Sequence, residues 1–144
     1  MSRAVLDSSV LFSAFLKPGS VPATLLVRAR EGAFSLYLSD YILEETAAVL
    51  LREKNRARHG ASPEKVARFC RDLAAVARMV KELPELDAVP DDPKDNPIVA
   101  TAVAAKADYL VTGDRQHLQR MGEYQGVRIV APREFLDLLG KNAV

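Results

Sequence analysis

Short apolar runs and longer apolar stripes take turns along this chain. Ala4-Val5-Leu6, Leu36-Tyr37-Leu38, Tyr109-Leu110-Val111 and Val127-Arg128-Ile129-Val130 are three or four residues each and read as strands. Between them apolar positions recur at helical spacing. Pro22 to Arg30 puts Leu25, Leu26 and Ala29 on one side, and Tyr41 to Arg52 does so with Ile42, Leu43, Thr46, Val49 and Leu50. Ser62, Pro63 and Glu64 supply an N-cap, a first-turn proline and an early acid. Val66, Phe69, Cys70, Leu73, Val76 and Val80 continue from them as an amphipathic helix. Pro84, Pro90, Pro93 and Pro97 punctuate a loop, after which Ile98, Val99, Ala102 and Val103 begin another helix. A last helix runs from near Pro132 to Gly140. Leu83 to Pro90 is compatible with a further strand as well as with loop.

Alternating strands and helices predict βαβ units: an α/β fold in which helices cover both faces of a mainly parallel sheet through right-handed crossovers. No repeat or linker divides the chain, so residues 1–140 are expected to form one domain, with 141–144 as a short tail. At 144 residues the chain is long enough to bury roughly two-thirds of its unfolded surface without a staple. Its 49% apolar and 27% charged residues are ordinary for a globular protein. The formal charge of +1 says little about partners. Acids gathered in one pocket and neutralised by metal would leave the remaining surface more basic than the total suggests. A lone cysteine, Cys70, excludes an internal disulfide and a thiolate metal cluster within the chain, and suits a reducing cytoplasm. The apolar run Ala4 to Phe15 is interrupted by Asp7, Ser8 and Ser9 and is too short to span a membrane or to read as an export signal.

Four acids change this picture. In open α/β sheets the functional crevice lies beyond the carboxyl ends of the strands, where loops and helix N-termini converge. Asp7 directly follows Val5-Leu6, and Asp114 follows Tyr109-Leu110-Val111 through Thr112-Gly113. Glu44 and Glu45 fall in the first turns of the helix after the second strand. With about 100° per residue, Glu44 lies roughly 160° from the centre of the apolar stripe and Glu45 roughly 100° away, bordering the buried face. Glu45 is therefore the inward candidate. Among Asp91, Asp92 and Asp95, Asp95 heads the stripe of Ile98, Val99, Ala102 and Val103, and Pro97 places it at or just before the helix start. Each acid alone has a structural explanation as a turn residue, cap or answer to the macrodipole. Four on one edge point to a shared task.

Two carboxylates about 4 Å apart repel by ~4 kcal/mol at an effective dielectric of ~20, so a convergent cluster needs a cation. Oxygen ligands without Cys or His favour Mg²⁺ or Mn²⁺ over zinc. Two such ions, or one with a transient second, lower the pKa of an attacking water and stabilise a leaving oxygen, the requirements of phosphodiester hydrolysis.

The chain resembles the PIN-domain family of metal-dependent nucleases, which includes the toxins of many toxin–antitoxin pairs. The resemblance rests on Leu6-Asp7-Ser8-Ser9-Val10, on Ser39-Asp40-Tyr41-Ile42-Leu43-Glu44-Glu45-Thr46, on Asp92-Pro93-Lys94-Asp95-Asn96 and on Ala107-Asp108-Tyr109-Leu110-Val111-Thr112-Gly113-Asp114. It implies a three-layer α/β/α fold around about four or five strands. It also implies Asp7, Glu45, Asp95 and Asp114 as catalytic metal ligands for Mg²⁺ or Mn²⁺, with Ser9 and Thr112 as hydroxyls that orient them. Ser9 departs from the family, where Asn is common. The resemblance further implies an RNA substrate, a homodimer and an antitoxin partner.

Two rival classes remain. One is a PIN-like nucleic-acid or protein binding module that has lost catalysis. The other is a phosphotransfer receiver domain, which would need an acidic pair after the first strand and a lysine after a late one, whereas Ser8 and Ser9 follow Asp7 and Arg115 rather than a lysine follows Asp114. Arg52, Lys54, Arg56, Arg58 and His59 form a basic stretch that either guides a nucleic-acid backbone or ends a helix in accord with its macrodipole. Arg115, next to Asp114, is a further candidate for phosphate. His117 reads as a surface residue, Cys70 as core packing, and the four tyrosines as too scattered for base stacking.

Overall fold

A computed structural model describes residues 1–141. Its elements in order are β1 (Arg3–Leu6), α1 (Ser8–Leu16), α2 (Val21–Arg30), β2 (Ser35–Ser39), α3 (Asp40–Leu50), α4 (Glu53–His59), α5 (Pro63–Val76) and β3 (Arg78–Val80). There follow a 3₁₀ turn (Pro93–Asp95), α6 (Asn96–Ala104), β4 (Tyr109–Val111), α7 (Leu118–Met121), β5 (Glu123–Tyr124), β6 (Val127–Val130) and α8 (Pro132–Lys141). The strands form one six-stranded sheet in the order β3-β2-β1-β4-β6-β5, parallel except for the two-residue β5. With helices on both sides this is the expected three-layer arrangement. Beyond the four strands named from the sequence the sheet contains β3 and β5; β5 is the hairpin partner of β6, joined through Gln125 and Gly126 at φ 47° and 85°, a two-residue turn that requires positive φ twice.

The chain moves outward from β1 to β2 and β3, then returns past β1 to place β4 on its other side. The sheet therefore has a switch point between β1 and β4, where connections leave in opposite directions and open a crevice beyond the carboxyl ends. Register fixes that edge: Leu6 pairs with Val111, and the amide of Asp7 donates to Val111 at 3.1 Å. Asp7 and Thr112 are thereby held side by side as the first residues past their strands.

The core runs through all layers, with Val5, Leu6, Leu38 and Leu110 in the sheet and Leu11, Leu25, Ile42, Ile98 and Phe135 from the helices. Phe34 and Phe135 meet edge to face at 5.0 Å, locking α8 onto the sheet. No single helix among the described residues is long and apolar enough to cross a membrane.

Several elements differ from the sequence expectation. Ser8–Leu16 is a helix, capped by Asp7, whose side chain accepts the amide of Val10 at 3.0 Å. The stripe that reads as helix through Val80 stops at Val76; Ala77 is extended and Arg78–Val80 joins the open edge of β2. Leu83 to Pro90 contains no strand. The basic stretch is itself a short helix, α4, ended by Gly60 at φ 63°. The last helix extends one residue past Gly140, and residues 142–144 of the expected tail lie outside the described residues.

Candidate metal centre

Asp7, Glu45, Asp95 and Asp114 all line one cavity of about 490 Å³ beyond the switch point. Ser8, Ser9, Phe12, Arg52, Asp92, Lys94, Gln116 and His117 are among its other walls. Of the two glutamates, Glu45 is half-buried in the cavity wall and Glu44 is exposed.

The tightest constellation is Asp92, Asp95 and Asp114, each of which offers a carboxylate oxygen within 4.8 Å of the other two. Asp92 does not share the phase of α6, so a helical wheel passes over it. It precedes the helix, in the turn that Pro93–Asp95 forms, where helical phase has no meaning; the amide of Asp95 donates to its carbonyl at 3.0 Å. Asp95 is buried, yet its side chain makes no capping hydrogen bond to α6. Its carboxylate is left facing the cavity. Desolvation, then the charge and hydrogen bond of Asp92, then Asp114 and Glu45 push its pKa up to about 7.

The remaining acids have local work as well. Asp7 is buried, and burial raises its pKa against the opposing effect of its hydrogen bonds, with Asp114 adding a further rise. One oxygen accepts from Ser9 Oγ at 2.6 Å and from the Val10 amide, and the other from Thr112 Oγ1. Thr112 Oγ1 in turn accepts the amide of Asp114 at 3.0 Å, while Ser9 Oγ accepts the amide of Gly113 at 3.1 Å. The two hydroxyls assigned an orienting role thus clasp Asp7 to the β4 loop. Ser9 performs this with a side chain shorter than Asn. Asp114 Oδ1 accepts the amides of Gln116 and His117 at 3.0 and 3.1 Å, which turns the chain back into the cavity wall. Glu45 accepts from Ser8 Oγ and lies 3.4 Å from the Tyr41 hydroxyl, which donates to the carbonyl of Lys94.

Tyr41 therefore ties α3 to the turn that carries Asp95. Burial and the nearby acids push its pKa up to about 12, so it stays a neutral donor. Tyr41→Phe is expected to cost about 1 kcal/mol of stability and to weaken metal affinity several-fold, read by thermal melting and by Mn²⁺ titration. Unchanged metal affinity would leave Tyr41 with a packing role alone.

The cavity places five carboxylates against two cations, Arg52 and Lys94. Repulsion on this scale, with oxygen donors throughout, fits a hard divalent ion held by Asp92, Asp95 and Asp114, with Glu45 and Asp7 beside them. Of the basic candidates, only Arg52 reaches the cavity. Lys54 and Arg56 sit on α4 outside it, and exposed Arg115 is not part of its lining. His117 is half-buried and belongs to the wall rather than to the open surface. Lys94 and Asp92 are site residues that sequence reasoning misses, although both lie within the run Asp92 to Asn96 that carries the resemblance. Cys70 is half-buried on α5 and burial pushes its thiol up, which disfavours thiolate chemistry.

A mostly parallel, doubly wound sheet with a carboxylate-lined crevice at its switch point defines an α/β domain whose acidic group could hold a metal ion. This chain belongs to the PIN-domain family, whose model matches residues 3–116. PIN domains are generally metal-dependent nucleases, and the acidic group of the crevice fits that chemistry. The crystal structure of PAE2754 from Pyrobaculum aerophilum is similar, with a TM-score of 0.60 at 16% identity, covering 97% of this chain and 90% of that one. At this identity the likeness is one of fold. Among curated proteins, none matches significantly.

Proposed function

We propose that the protein is a Mg²⁺- or Mn²⁺-dependent endoribonuclease that hydrolyses phosphodiester bonds of RNA. The observation that carries this reading is the convergence of Asp92, Asp95 and Asp114 within 4.8 Å of one another at the switch point. When bound there, the metal supplies an activated water and charge compensation for the leaving oxygen.

The residues of the chain have separable roles. Asp92, Asp95 and Asp114 hold the ion, and Glu45 and Asp7 complete the acidic wall. Ser9 and Thr112 fix Asp7, and Ser8 and Tyr41 fix Glu45. Lys94 and Arg52 offer positive charge to a phosphate at the mouth of the cavity. The role of a cytoplasmic toxin restrained by an antitoxin, and a homodimeric state, extend the proposal through the family resemblance.

The test is incubation of the purified protein with labelled single-stranded RNA and DNA in Mg²⁺, Mn²⁺ or EDTA. Internal cleavage of RNA with either ion and its loss in EDTA are expected. Cleavage that persists in EDTA would overturn the metal role, and cleavage confined to DNA would overturn the choice of substrate.

A further inference from the structure

A second cavity, of about 560 Å³, opens along the same helix that borders the metal centre. Ser8, Ser9 and Phe12 of α1 line the first cavity, and Ala14, Phe15 and Leu16 line the second. The two cavities are also linked through the end of α3 and the segment that follows it, with Val49 and Arg52 in the first and Arg58 and His59 in the second. Seven residues of helix separate Ser8 from Phe15, a rise of roughly 10 Å.

Three rings stand in this cavity. Phe15 meets His59 edge to face at 5.3 Å and Phe69 at 5.0 Å. Phe15 and His59 lie outside the hydrophobic core, so the sheet does not need them for packing. His59 is nevertheless held firmly. Its Nδ1 accepts the amide of Ala61 at 2.9 Å, which leaves Nε2 to donate to the carbonyl of Leu50 at 2.9 Å. Both edges of the imidazole are thus spent on the backbone, and what it offers is a ring fixed in place.

The rim is basic. Arg58, Lys65 and Arg68 face a single acid, Asp72, and none of the four is in an ion pair among the described residues. Rigid rings among unneutralised cations are what a single strand of nucleic acid requires, since bases stack on the rings and phosphates meet the charges.

We propose that this cavity is a second subsite for the RNA strand, taking a base against Phe15, His59 and Phe69 and its flanking phosphates on Arg58, Lys65 and Arg68, a few nucleotides from the bond that is cut. The inference rests on the nuclease reading of the first cavity. Continuity along α1 favours a strand that leaves the metal centre over a separately docked acidic peptide.

The experiment pairs the charge-reversal variant Arg58→Glu/Arg68→Glu, at two exposed positions, with Phe69→Leu, which keeps apolar volume and removes a ring. Fluorescent single-stranded RNAs of about 2 and about 12 nucleotides are compared; at about 3.4 Å per stacked nucleotide the shorter falls short of the roughly 10 Å between the cavities and the longer exceeds it. On the longer RNA both variants are expected to raise KM about tenfold. The charge reversal should also reduce the slope of log Kd against log salt by about 0.7 for each phosphate that is no longer neutralised. On the shorter RNA, which ends before the second cavity, the effect should be under about twofold, because it has no base or phosphate to place there. Melting temperatures identify loss of fold, and the charge-reversal pair keeps the test decisive if Phe69→Leu is unstable. Equal losses on both lengths, or none on the longer one, would overturn the subsite while leaving the nuclease reading intact. A parent protein that neither binds nor cuts either RNA would overturn both.

Discussion

Replacing Asp95 by Asn is expected to reduce metal-dependent RNA cleavage by about two orders of magnitude or more, while making the metal-free protein more stable above neutral pH. Both effects have one origin. Asp95 is buried, faces Asp92 and Asp114, and gains no hydrogen bond from the helix it heads. Its negative charge is costly to the fold until a cation arrives. Asn keeps the shape, removes the charge and is a poorer ligand for a hard ion, so the site loses affinity as the fold loses strain. The comparison variant is Asp91→Asn, at an exposed position outside the cavity lining, which should alter neither property. Cleavage rates in Mn²⁺ and melting temperatures in EDTA provide the two readings. An Asp95→Asn protein that cuts RNA at the parental rate would remove Asp95 from the metal site. One inactive but also less stable in EDTA would show that the carboxylate serves packing instead.

Asp95 also marks how far local patterning carries. It is legible in the sequence because it heads a helical stripe whose phase identifies the buried side, and Glu45 is separated from exposed Glu44 on the same ground. Asp92 is not, because a wheel drawn from α6 does not extend into the turn before it. The helix α1 escapes pattern reading for a different reason. Val10, Leu11, Phe12, Ala14, Phe15 and Leu16 leave little polar contrast, and such a run does not distinguish strand from buried helix. Val80 fits the stripe of α5 equally well as a helical or a strand residue; pairing with the free edge of β2 decides it. The class of fold follows from alternation, but the strand order does not. Only the order places Asp7 and Asp114 on adjacent strands and creates the switch point between them.

In the absence of metal, stability is expected to fall as pH rises from about 4 to about 7, and Mn²⁺ is expected to reverse the trend. The carboxyl of Asp95 is raised from an ordinary 3.8 to about 7, and that of Asp7 is raised as well. Between those limits the folded state retains a proton that the unfolded chain has released. Stability therefore declines with pH across the window, and the penalty is fully present only above about 7. Below about 4 it is absent, since both states are then protonated.

Metal changes the sign because it binds the ionised form and displaces the proton. Its stabilisation should be slight at the acid end and grow through about pH 7, reaching about 2.7 kcal/mol when free ion exceeds Kd a hundredfold. Melting curves in EDTA and in Mn²⁺ across this range would measure both slopes. Asp95→Asn identifies the share of Asp95, for it should make the metal-free slope shallower, leaving the part due to Asp7, and should remove the metal-induced gain. If the slope were unchanged in that variant, other titrating groups would be responsible. If Mn²⁺ stabilised the variant as strongly as the parent, the ion would be bound elsewhere. A shallower slope together with loss of the gain is the result that ties the buried charge to the ion, since the group that makes the empty site unfavourable is then the one that draws the cation into it.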